Sequence, residues 1–478
     1  MGSLYTRAQW YPSVLCLALI SCNFEWLAGQ IDSHKPYLEM ILHPELPAQV
    51  AMLLLRLSVI PQLGYLSRVI PPSLFYPHAM QFDNMVLDTI QRKFGIPNPL
   101  SDVAKFTLSL PIKAGGFGLY KVANVSVPAY FSAVAAASED ILEFIPLDQR
   151  QKLLLDEKSS APFAGEVADC LGFLIKAGVV HGLDGPIPDS IQDFWRPGGG
   201  VVSLPRRQHE ICSQISVREF LTWELTASLK DRQRLVSASA KNASLWLTAF
   251  PVAPELLMAD ELYLLAVKHR LGLCPVDDLP AKCSCGAVLR DDPQHFYSCG
   301  LLKRKAMTQR HDSIVRLLRD LFHKVGAVVH VEPRIYDTKR VRPDLDILLP
   351  DQNLILDVAV THPGAPSRKS LRPLAAANAI ESNKRRDYAA WAQERGGKFF
   401  GFVLESHGAL GKGAVEVLKT LSKAAVTANL AMPPGDFLRL SKQSLSVALQ
   451  RGNGLVAKMG AIQARATNAA AERASRAR

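Results

Sequence analysis

"RPDLDILLPDQNLILDVAVTHP", Arg342 to Pro363, decides how the second half of this chain is read. The runs at 344–349 and 354–360 are aliphatic or β-branched and are bounded by Pro, Asp and Asn, which is strand chemistry around a tight turn. Three carboxylates, Asp344, Asp346 and Asp357, sit on these runs. A turn centred on Pro350-Asp351 would set Asp344 directly across from Asp357, whereas a loop of Pro350 to Asn353 would set Asp346 there. In either register the period of two keeps all three aspartates on one face, with opposed Cβ atoms about 4.5–5.5 Å apart. Like charges so placed repel, and a hard divalent cation with oxygen ligands is one counter-charge that relieves them. A solvent-facing strand edge whose charges deter aggregation is the other reading.

The flanking sequence extends the pattern in both directions. Upstream, Ile314, Leu317, Leu318, Leu321, Phe322 and Val325 recur at helical spacing, with Gly326 as the stop, and "AVVHVE" (327–332) reads as a further strand. Downstream, a helix is expected over 373–395, then a fourth strand in "KFFGFVLE", then helices over about 412–426 and 435–458. An Ala/Arg tail after them is expected to be frayed or disordered. The order is α-β-β-β-α-β. On the 373–395 helix, Glu381, Lys384, Arg385 and Tyr388 fall at i, i+3, i+4 and i+7, one stripe that is either a solvated face or a source of cations for a phosphate.

"CSCGAVLRDDPQHFYSC" places Cys283, Cys285, His295 and Cys299 in a C-x-C-x9-H-x3-C spacing. Three thiolates and one imidazole complete a tetrahedral zinc shell, and Gly286 permits the tight turn a knuckle needs. Four protein ligands leave no open position, so the zinc would be structural. Cys274 is an alternative ligand.

A chain of 478 residues with 48% hydrophobic and 21% charged residues is globular in composition and long enough for about three domains. Eight cysteines are too sparse for a disulfide framework, which favours a reducing compartment. The net charge of +11 suits an anionic partner, and Lys303, Arg304, Lys305, Lys339, Arg340, Arg342, Arg368, Lys369, Lys384, Arg385 and Arg386 crowd around the opening motif. The N-terminal "WYPSVLCLALISC" (Trp10 to Cys22) and the myristoylation-like "MGSLYT" are read as neither signal peptide nor lipid anchor, so the expected location is intracellular, nuclear or cytoplasmic, with no membrane partner. "AMLLLRLSVI" is interrupted by Arg56 and ends at Pro61, and is not expected to span a bilayer. From 47 to 275 the pattern is mostly helical, with Gly198-Gly199-Gly200 as the linker candidate.

Glu332, "RPD" at Arg342 to Asp344, "DVAV" from Asp357 and "ESNKRRDY" from Glu381 to Tyr388, in that element order, resemble the restriction-like PD-(D/E)xK endonuclease at the C-terminus of site-specific non-LTR retrotransposon proteins. The resemblance implies Asp344 and Asp357 as ligands of Mg²⁺ (or Mn²⁺), with Glu332 as accessory ligand or base. Ala359 stands in the lysine slot of D-x-K, so the basic role passes to Lys384, with Arg385 as substitute and Tyr388 beside them. "LPAQVAMLLLRLSVIPQLGYLSRVIPP" and "LSLPIKAGGFGLYKVANVSVPAYFSAVAAA" resemble the thumb that follows the palm in reverse transcriptases of the same elements. "ASLWLTAFP" and "VKHRLGL" are similar to the linker before their knuckle, so the resemblance runs over roughly 40 to 460.

It implies an α+β multidomain chain: an unmatched segment (1–40), a thumb-like helical region (41–198), a helical linker (199–275), a CCHC zinc knuckle (276–305), an αβββαβ endonuclease core (306–430) and a C-terminal helix with basic tail (431–478). A paired-aspartate polymerase motif of the Y/F-x-D-D kind is not found in the sequence, so the expectation is a truncated element protein that nicks DNA and does not polymerise. The alternative is a nucleic-acid-binding remnant with an inactive nuclease. Expected partners are target DNA and element RNA, contacted by Lys303, Arg304, Lys305, Arg342 and Arg386, and an intact reverse transcriptase acting in trans.

Overall fold

A computed structural model describes residues 24–144, 162–179, 181–182, 185–186, 194, 204–276, 278–333 and 342–476. The apolar run at 10–22, the triple glycine at 198–200 and the Lys339-Arg340 pair lie outside them. The chain divides into two compact units, one formed within Met1–Leu46, Leu54–Lys93 and Leu119–Thr226, the other within Pro47–Leu53, Phe94–Gly118 and Ala227–Arg478. The knuckle, strand region and C-terminal helix, separate regions in the sequence reading, all fall in the second unit.

In the first unit the regular structure among the described residues is helical apart from a short ribbon of two two-residue strands, His181–Gly182 with Gly185–Pro186. Helices α1 (Pro72–Phe94) and α2 (Val122–Ala136) are joined by a polar clasp. The Val122 and Ala123 amides donate to the two carboxylate oxygens of Asp83 at 2.8 and 3.0 Å, satisfying donors that a helix start leaves open. Phe131, Leu171, Leu174, Phe194 and Ile211 form the core beside α2. Among the described residues one helical run, Ala48–Val69, is long and apolar enough to cross a bilayer, and half of its most apolar window is buried inside the fold. Arg56 is itself among the buried residues.

The second unit holds α3 (Leu229–Ala238), α4 (Asp260–Leu271), the cysteine knuckle and then one mixed four-stranded sheet. Helix α5 (Thr308–Lys324) ends ahead of Gly326, whose φ of +80° is one that side-chain-bearing residues avoid. Strands β1 (Val328–Val331), β2 (Leu345–Leu349) and β3 (Gln352–Thr361) then pair antiparallel in succession. Helix α6 (Ala375–Glu394) carries the chain across the sheet to β4 (Gly397–Glu405), which lies parallel to β3, the connection that parallel pairing demands. Helices α7 (Lys412–Thr427) and α8 (Pro434–Arg476) complete the unit. The expected α-β-β-β-α-β order is present.

Alternation along the strands sorts the two faces. Leu345, Ile347, Leu354, Leu356, Val358, Phe402 and Leu404 share one core with Ile314, Leu318 and Phe322 of α5, Val417 and Leu421 of α7, and Leu445 and Leu449 of α8. Side chains of the opposite parity meet α6: Gly401 approaches Glu381, and Phe399 stacks on Tyr388 with centroids 5.1 Å apart. The aspartates belong to this second face.

The terminal helix departs from expectation. It runs through Arg476 where a frayed tail was expected beyond 458. Ala and Arg are strong helix formers, and the far end is held by the knuckle: Val456, Ala457, Ala461 and Ala464 pack on Phe296 and Cys299. Asn468 donates to the Lys282 carbonyl at 2.9 Å, and Arg465 pairs with Asp278. Gly452 and Gly460 within this helix permit close approach, since a Cβ there would lie 2.3 Å from Arg310 Cγ and 2.5 Å from the Phe296 ring.

Candidate active site and zinc centre

The hairpin turn is Pro350-Asp351, and pairing runs Leu345 with Leu356 and Leu349 with Gln352. Of the two registers open in the sequence, this sets Asp344 across from Asp357, with the Asp344 amide donating to the Leu356 carbonyl at 2.9 Å. Asp346 lies opposite Ile355 and is buried on the same face.

Each carboxylate of the pair has its own cation. Lys384 of α6 donates to Asp357 Oδ2. His311, near the start of α5, places Nε2 3.1 Å from Asp344 Oδ2, and the Val358 amide donates to that oxygen at 2.6 Å. Burial pushes Asp344 upward, but His311 and Val358 outweigh it and hold the carboxyl below its ordinary range. Burial and the neighbouring Asp344 raise Asp357 to about 6, with Lys384 opposing. His311 loses basicity by burial yet gains more from Asp344 and Asp312, which lift it to about 9. At neutral pH the site is therefore a carboxylate pair flanked by a lysine and an imidazolium.

The other expected site residues are placed less centrally. Glu332, at φ +42°, directs its carboxylate to Arg342, and its amide donates to the Asp344 carbonyl at 2.9 Å. Tyr388 donates to the Arg342 carbonyl at 3.4 Å, and burial together with Asp357 pushes its phenol up to about 12. Arg385 is exposed and acts on Glu381, whose carboxylate accepts from the Gly413 amide. Lys303, Lys305, Arg342 and Arg386 are exposed, and the Arg304 side chain lies outside the described residues. His311 was missed by sequence reasoning. Its only local signal is the "RHD" tripeptide ending at Asp312, and its partner is 33 residues away.

The four candidate ligands gather as their spacing implies. The ligand atoms of Cys283, Cys285, His295 and Cys299 all lie within 4.8 Å of one another, and Cys274 is not in this group. The Cys283 and Cys299 sulfurs are 3.9 Å apart, close to the separation of about 3.8 Å that two thiolates adopt on tetrahedral zinc at 2.3 Å. Cys285 Sγ is 3.1 Å from His295 Nε2. The Cys283 amide donates to Ala287 and the Gly286 amide to Cys283, both at 2.8 Å, with Gly286 at φ +90°. This donor set fits zinc.

A second histidine group, unforeseen in the sequence, comprises His269 of α4, His362 after β3 and His407 after β4. Its chemistry is against a cation. The His269 and His407 rings stack at 4.2 Å and 19°, so their in-plane lone pairs do not converge, and buried Arg234, Arg270 and Arg310 add positive charge. Burial is the first cause that lowers all three, His362 to about 3. We read them as neutral packing that ties α4 to the strand ends.

No known protein-family profile matches the chain. Over 147 residues it is 29% identical to the "Retrotransposable element SLACS 132 kDa protein" of Trypanosoma brucei gambiense. The match takes in 29% of this chain and 12% of that protein, and it supports a retrotransposon-related origin.

Proposed function

We propose that this retrotransposon-related chain is a Mg²⁺-dependent DNA-strand endonuclease with a PD-(D/E)xK core. The observation that carries this reading is Asp344, immediately ahead of β2, set across from Asp357 of β3, with Lys384 delivered to the pair from α6. A bound Mg²⁺ or Mn²⁺ would supply an activated water and charge neutralisation at the phosphorus. Asp344 and Asp357 would hold it, Asp344 kept ionised and oriented by His311 and the Val358 amide. Lys384 would neutralise charge developing on the scissile phosphate, in place of the lysine that Ala359 lacks. Glu332, Arg385 and Tyr388 would act from the rim, with Arg342 and Arg386 toward the backbone. The knuckle would brace the unit through α8 and present Lys303 and Lys305 to nucleic acid.

The test is relaxation of supercoiled plasmid by purified protein with Mg²⁺. Wild type should nick and Asp344→Asn should lose at least about 100-fold in rate, the scale of removing one catalytic electrostatic contact. A wild-type protein that binds DNA without nicking would replace this reading by a second, a nucleic-acid-binding remnant, which Ala359 in the D-x-K slot favours.

A further inference from the structure

We propose that a basic cavity between α3 and the loop from β3 to α6 seats a backbone phosphate of the bound nucleic acid, outside the carboxylate pair. The proposal rests on the nucleic-acid reading above and says where the strand is gripped. The cavity, of about 180 Å³, is lined by Arg368, Lys369, Arg372, Gln233, Ser237 and Glu405 among others. A water takes roughly 30 Å³ of liquid volume, so the cavity has room for a phosphate group, about twice that size.

The loop is built in place. Buried Gln233 donates its side-chain amide to the Arg368 and Ser370 carbonyls at 3.1 and 3.2 Å. The Arg372 amide donates to Ser370 Oγ at 3.1 Å, and the Arg368 amide to the Ala365 carbonyl at 2.8 Å. The one carboxylate on the wall is already engaged: Glu405 accepts from the Ala377 amide at the start of α6 and faces the Arg368 charge. Lys369 and Arg372 are exposed and form no ion pair among the described residues. Two uncompensated cations therefore face a cavity whose backbone frame is pinned, which is the preorganisation that phosphate contacts need.

Position on α6 suits an anion that is part of a polymer. Nine residues separate Ala375, at the cavity, from Lys384, at the carboxylate pair, which is about 13.5 Å of helix. A nucleic-acid strand rises about 3.4 Å per nucleotide, so one backbone reaches both places within about four nucleotides.

The experiment measures binding of the full chain to a short DNA duplex by fluorescence anisotropy over a salt series, without added Mg²⁺. Lys369→Ala/Arg372→Ala is compared with wild type and with Lys419→Ala/Lys423→Ala on α7, which removes the same charge elsewhere. Each lost phosphate contact lowers the slope of log K against log salt by about 0.9, so the cavity variant should lose about 1 to 2 units of slope. The α7 variant should keep the wild-type slope. Equal slopes in the cavity variant and wild type would overturn the site while leaving nucleic-acid binding intact. No salt-sensitive binding by wild type would overturn the nucleic-acid reading and the site with it. Weakening of the cavity variant for polyglutamate alone, with DNA unchanged, would also overturn it in favour of an acidic peptide.

Discussion

Replacing Lys384 by Met should cost stability in a way that a divalent cation restores. The Lys384 and Asp357 side chains are 23% and 9% exposed, so removing the ammonium leaves a nearly buried carboxylate without its own counter-charge, the His311 imidazolium being bonded to the neighbouring Asp344. Breaking a fully buried pair costs about 3–5 kcal/mol. Lysine's residual exposure, and the readiness of Asp357 to take a proton near pH 6, lower that to about 2 kcal/mol at neutral pH. For a unit of this size that is a fall of about 4–8 °C in Tm. Excess Mg²⁺ replaces the missing charge, and a ligand at 100 times its Kd stabilises by about 2.7 kcal/mol. Thermal unfolding with and without Mg²⁺ should therefore show a larger Mg²⁺-induced rise in Lys384→Met than in wild type. The double variant Asp344→Asn/Asp357→Asn, which has no charges to oppose, should show no such rise. Equal Mg²⁺ shifts in Lys384→Met and wild type would refute the reasoning that the pair needs a cation.

Other consequences follow from the geometry. Metal analysis should find one tightly held zinc per chain, lost in Cys283→Ser; zinc retained by that variant would contradict the assignment. Asp83, raised by burial from 3.8 to about 6, binds its proton more tightly folded than unfolded. Its contribution to the first unit is thus present below about pH 4 and lost as pH rises through about 6, and Asp83→Asn should flatten that dependence of the urea midpoint. Gly413→Ala would put a Cβ 2.3 Å from the Gly401 carbonyl oxygen, a backbone clash between α7 and β4. It should destabilise by about 1–3 kcal/mol in chemical denaturation, whereas Gly435→Ala, with open space, should not.

What could be read from the sequence divides along local and non-local lines. The element order from α5 to β4 was legible because aliphatic periodicity and Pro, Gly and Asn punctuation are local signals. The knuckle was legible because its ligands fall within 17 consecutive residues. The hairpin register was open, because two turn lengths satisfied the same alternation, and the structure chooses the tighter. Lys384 reached the aspartates as helical spacing allowed, but whether its stripe was solvated depended on where α6 lands on the sheet. His311, the buried histidines and the length of α8 were beyond local pattern. The first two depend on partners distant in sequence. The third depends on packing of the helix's far end against Phe296 and Cys299, residues more than 150 positions earlier.

The most direct measurement is anomalous diffraction from crystals of the protein soaked with Mn²⁺, which substitutes for Mg²⁺ and scatters anomalously. A peak is expected between the Asp344 and Asp357 carboxylates, about 2.1 Å from an oxygen of each. A bare pair, with Lys384 still bonded to Asp357 and Mn²⁺ bound elsewhere, would contradict it.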